Sequence, residues 1–164
     1  MIAVLAVTGC GGAGEDLKTE TRAKMSYIAR ADGICETQQA KRERLETRVG
    51  DLAPITPDET REVATLLRRA AVALEREVRN LRALHPPSGD IRTPDSLLSI
   101  LADQIHDLRG FAAAYDSRDA GTIRAFQARI AADSAKASAL AEHYGFRVCG
   151  NPGNGNTGNL TRFR

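Results

Sequence analysis

Aromatic side chains are scarce in this 164-residue chain: it has no Trp, three Tyr and four Phe. Neither sign of charge prevails, since 23 Lys and Arg stand against 21 Asp and Glu for a net charge of +2. Such a chain has no strong global field to recruit nucleic acid. The apolar run over residues 2–7 is only six residues long, far too short to span a bilayer. Runs of alternating β-branched residues are missing, so nothing marks a half-buried strand. A Gly-x-Ser-x-Gly elbow is absent, and the Gly-rich stretch 9–14 has no Lys-Ser or Lys-Thr after it. No Cys-x-x-Cys-His haem attachment occurs either. The sequence thus calls for no cofactor and names no reaction, and we read it as non-enzymatic.

What is abundant is alanine and arginine, both strong helix formers. Four stretches carry apolar residues in steps of three and four, the spacing that gathers side chains on one helical face. The first, from about Lys24 to Val49, has the seam Ile28, Ala31, Cys35, Gln38, Arg42, Leu45 and Val49. The second opens on Thr56-Pro57-Asp58-Glu59, a capping box with Pro at the first helical position. It closes at His85-Pro86-Pro87. The third opens on Thr93-Pro94-Asp95, much the same start signal, and runs to about Tyr115. The fourth is capped by Asp119, has the seam Ile123, Phe126, Ile130, Asp133, Ala137, Leu140 and Tyr144, and stops at Gly145. Short links make neighbours antiparallel. The expected fold is all-α: an up-down-up-down antiparallel four-helix bundle over residues 24–149, with flexible N- and C-terminal tails. The Gly/Asn-rich residues 150–164 have little apolar area to bury and are expected to be disordered.

The N-terminus has a character of its own. Val7-Thr8-Gly9-Cys10 resembles the bacterial lipobox, in which the Cys takes a diacylglycerol and becomes the new N-terminus after cleavage. Residues 1–9 then read as the remnant of a lipoprotein signal peptide whose basic segment lies upstream. Cys10 is the lipidation site, and residues 10–23 are a flexible tether. The cysteine count agrees. Of Cys10, Cys35 and Cys149, lipid on Cys10 leaves Cys35 and Cys149 to pair in an oxidising compartment. Cys35 sits about three turns into helix 1 and Cys149 just past helix 4. Either the chain after Gly145 folds back along helix 1, or helix 1 starts later than its spacing suggests.

The stretches Tyr27 to Cys35 and Tyr144 to Gly150, with Leu81 to Pro87 between them, resemble a group of actinobacterial secreted or lipid-anchored helical proteins. The likeness covers about residues 25–150. It implies export, helices and the Cys pair, and no activity.

The residues with chemistry are few. Asp103-x-x-His106 has half of a di-iron helix motif, with no second copy to face it, so no metal site is expected. Arg61, Arg68, Arg69, Arg76, Arg79 and Arg82 make helix 2 basic, interrupted by Glu62, Glu75 and Glu77. This reads as a solvated face or an attraction to anionic lipid or envelope polymer, with no aromatics for nucleic acid. On the seams, Gln38, Arg42 and Asp133 form a possible polar set. Arg42 could pair with Asp133 across the bundle, because a buried charge needs a partner; a small-ligand pocket is the alternative. The expected function is a lipid-anchored extracytoplasmic module, held to the membrane through Cys10, that binds an envelope protein or polymer. A small-molecule or metal-binding bundle is the second reading, and an unrecognised enzyme the third.

Overall fold

The computed structural model describes residues 12–51 and 56–150; the side chains of 12–15, 42, 43, 46, 47 and 49–51 lie outside that description. Four helices follow one another: α1 (Gly12–Asp51), α2 (Pro57–Arg82), α3 (Arg92–Ser117) and α4 (Ala120–Tyr144). Among the described residues there is no strand. The four form an antiparallel bundle in which backbones approach in chain order, α1 on α2, α2 on α3 and α3 on α4. The signal remnant 1–9, Cys10 and tail residues 151–164 fall outside the described residues.

Helix starts follow local chemistry with one exception. Thr56 caps α2 with the full capping box: its hydroxyl accepts the Glu59 amide at 3.3 Å, and Glu59 accepts the Thr56 amide at 2.8 Å. Asp119 caps α4 by accepting the amides of Gly121 and Thr122 at 3.0 and 3.1 Å. Those bonds, with that from the Thr122 hydroxyl, hold its carboxyl below the usual range. At α3 the Thr-Pro signal misleads by a few residues. The helix begins at Arg92 with Ile91 as N-cap and no side-chain cap bond, so Thr93 and Pro94 lie inside the first turn. Pro94 fits there because first-turn amides have no intrahelical acceptor to lose.

The stretch read as a tether also differs: α1 is helical from Gly12 onward. Asp16 and Glu20 precede Arg22 and Lys24, an order that suits the helix dipole and sets Glu20 and Lys24 four apart. From residue 16 to residue 23 its side chains are exposed. The helix thus projects past the end where it meets the other three.

The core has two parts. At the base, where α1 arrives, all four helices contribute: Tyr27, Ala31 and Cys35 meet Leu74, Val78 and Leu81, then Leu97, Leu101 and Ile105, then Ala137, Ala141 and Tyr144. At the far end Val63, Leu66 and Leu67 of α2 pack on Phe111, Ala112 and Tyr115 of α3. There α1 offers Leu45, and α4 offers Ile123, Phe126 and Ile130, all only half-buried.

Candidate functional site

The most elaborated part of the surface is the turn after α4. Gly145 ends the helix in the left-handed region (φ 104°), with its amide donating to Ala141 and Glu142. The chain then folds back along α1, the first of the two routes left open by the sequence. Phe146 stacks on Tyr144 at 4.8 Å between ring centroids, and Tyr27 of α1 meets both rings at 6.1 Å. Asp32 of α1 accepts three successive backbone amides: Arg147 through one oxygen at 3.0 Å, Val148 and Cys149 through the other at 3.0 and 3.1 Å. A carboxylate filling a concavity of consecutive amides is a strong local anchor. It delivers Cys149 to Cys35, and the two form a buried disulfide with Cα atoms 5.2 Å apart, closing a span of 114 residues. Gly150, also left-handed (φ 74°), lies so close to α4 that a Cβ there would come within 2.5 Å of Ala141 and 2.8 Å of the Ala137 carbonyl. Its own carbonyl accepts the Ser138 hydroxyl at 2.6 Å.

Lys24 pairs with Asp90 of the α2–α3 link at 2.6 Å and lies 4.1 Å over the Tyr144 ring. Burial, with Asp90 and Tyr27 nearby, pushes the Tyr144 hydroxyl up to about 12. Burial and then Asp95 raise Tyr27. The Tyr27 and Tyr144 hydroxyls beside this turn therefore stay neutral throughout the ordinary pH range.

Of the expected polar seam, the side chains of Gln38 and Asp133 are among the described residues. Gln38 is buried on α1, while the Arg42 side chain lies outside the described residues. Asp133 is half-buried, and its carboxylate pairs with Lys136 one turn along its own helix at 2.8 Å. Among the described residues α1 and α4 meet at the base through side chains and the chain after Gly145, with no close backbone approach between the two helices. Among the described residues the buried acids are Glu77, 1% exposed, and Asp107, 7% exposed. Asp107 pairs with Arg129 of α4 at 3.3 Å, and Arg129 lies over the Phe126 ring at 4.2 Å. Glu77 corrects its placement among acids on a solvated face. A signal was present: Ala70, Leu74, Glu77 and Leu81 are spaced four, three and four. The six α2 arginines do lie outward.

Two open grooves flank this framework. One, about 620 Å³, lies at the base beside Tyr27, Arg82, His85, Ile91, Asp95 and Asp103. The other, about 690 Å³, runs between the second half of α1 and the first half of α2, with Leu45, Leu66 and Thr65 beneath a rim of charged side chains. Gln38 and Asp133 line neither. His106 and Asp103 are exposed. No group of three or more His, Cys, Asp or Glu among the described residues is arranged to hold a metal ion. No helix among them is long and apolar enough to cross a membrane.

No family model matches the chain, and no curated protein or solved structure is similar to it.

Proposed function

We propose that this chain is a lipid-anchored, extracytoplasmic, non-enzymatic bundle that works as a binding or interaction module of the cell envelope, tied to the membrane by lipid on Cys10. The carrying observation is the Cys35–Cys149 bridge. Aromatic packing, two left-handed glycines and a three-amide carboxylate anchor all serve to bring these two sulfurs together. A fold built around such a bond suits a compartment in which disulfides persist. Pairing of Cys35 with Cys149 leaves Cys10 over, at the end of a sequence like the lipobox. The resemblance to actinobacterial exported helical proteins points the same way. Two acyl chains on Cys10 would give stable anchoring where one would not.

Mass spectrometry of the protein isolated from native membranes tests this. The expected result is a diacylglyceryl-modified N-terminal Cys10 together with a Cys35–Cys149 cross-linked peptide after acid quenching. An unmodified Cys10 in a soluble fraction would overturn the anchor. Free thiols at Cys35 and Cys149 in freshly quenched cells would overturn the extracytoplasmic location.

A further inference from the structure

The groove between α1 and α2 is lined by more arginines than acids. Arg44 and Arg48 of α1 and Arg61 and Arg69 of α2 line it, against Asp58 and Glu62. Arg48 pairs with Glu62 at 2.9 Å and Arg61 with Asp58 at 2.9 Å, and both arginines remain more than two-thirds exposed. Arg44 and Arg69 have no carboxylate partner among the described residues. Among the described residues the groove therefore keeps two guanidiniums without a carboxylate partner, with two more whose remaining N–H donors face solvent.

We propose that this groove binds a linear polyanion, a base-free chain of successive phosphate charges, lying along the α1–α2 seam. Spacing favours a chain over a single anion. Arg44 and Arg48 stand one turn apart, about 6 Å along the axis, and Arg61 and Arg69 about 12 Å apart. One phosphate cannot touch all four, whereas successive charges on one polymer can. Guanidinium forks pair bidentately with phosphate oxygens. No aromatic ring among the described residues lines the groove, so a nucleic acid would find nothing there on which to stack its bases.

The choice of a polymer over a lipid headgroup rests on the anchor proposed above. Arg44 lies 32 residues along α1 from Gly12, or about 48 Å at the helical rise. A chain held at Cys10 therefore carries this groove well away from its own bilayer. Binding through exposed arginines is weak and salt-sensitive, because it draws on counterion release.

Linear inorganic polyphosphate titrated into the full-length, disulfide-intact protein provides the test. The paired variant Arg44→Ala/Arg69→Ala is compared with Arg30→Ala/Arg79→Ala, which removes the same charge from exposed positions outside the groove. The groove pair is expected to weaken binding roughly tenfold or more, the outside pair less than about twofold, and raising salt severalfold should abolish binding. No binding by the wild type at low salt would overturn the proposal. So would equal losses from the two pairs, which would mean that net charge alone acts. Tighter binding to phosphatidylglycerol vesicles or to oligothymidylate would overturn the choice of polymer. Acylation of Cys10 does not enter this comparison, so its failure and that of the anchor are told apart.

Discussion

The base and the far end of this bundle are made of the same kinds of residue and yet are held very differently. At the base four helices share one core, and a disulfide, a carboxylate anchor and three packed rings are added to it. At the far end two helices make the core, and the outer pair covers it with half-buried side chains. All three fully buried positions of α4 (Ala137, Ala141 and Tyr144) lie in its second half. Amphipathic spacing thus runs evenly along α4 while burial does not. The difference teaches that a helical seam marks what a helix can bury, and its neighbours decide how much of it is buried.

The contrast can be broken most severely at the sulfurs. Replacing both Cys35 and Cys149 by Ser should cost about 4–5 kcal/mol in the chain-entropy model, because the closed span is so long. That corresponds to a fall of roughly 10–20 °C in Tm by calorimetry. Reductant added to the wild type should give a similar drop and add nothing to the variant. Next comes Asp32→Ala, which leaves three amides without their acceptor. A loss of about 2–3 kcal/mol is expected in denaturant unfolding, and less in the disulfide-free background if the anchor and the bridge act as one unit.

A glycine at each end sharpens the comparison further. Gly150→Ala forces a side chain into the left-handed region and against the Ala137 carbonyl, so about 1–3 kcal/mol should be lost. Gly110→Ala at the far end meets the tip of the Phe126 ring. That ring is only half-buried and can move, and the gain in helix propensity offsets the shift, so the change should stay within about 1 kcal/mol. Equal costs at the two sites would remove the distinction between a locked base and a yielding far end. The smallest effect under ordinary conditions concerns tyrosine. Tyr144 at the base and Tyr115 at the far end are both pushed up to about 12 by burial. In the unfolded chain their hydroxyls ionise near pH 10. Below that pH both states keep the proton and stability is unaffected; above it the unfolded state is favoured progressively until the folded hydroxyls ionise as well. Unfolding monitored by tyrosinate absorbance should therefore show stability falling between pH 10 and 12. A flat profile there would mean that neither hydroxyl is shielded.

Much of this was legible in the chain. The four helices, the capping box at Thr56, the Asp119 cap, the Gly145 stop and the partnership of Cys35 with Cys149 all follow from spacing, local hydrogen-bond chemistry and counting. The extension of α1 back to Gly12 was missed because its Gly-rich start outweighed the helix-favouring order of charges after it. Asp32 was hidden because an acceptor for amides more than a hundred residues away has no local signature. Glu77 was misplaced because an acid beside arginines looks solvated until its position in the apolar stripe is noticed.

Sequence alone determined which segments become helices, since capping bonds, dihedral preferences and the three-four spacing act within a few residues. Tertiary structure alone decided which seam residues are covered, which helix Asp107 reaches for its arginine and which carboxylate receives the returning chain. Those outcomes depend on distances between helices, and no nearest-neighbour chemistry encodes them.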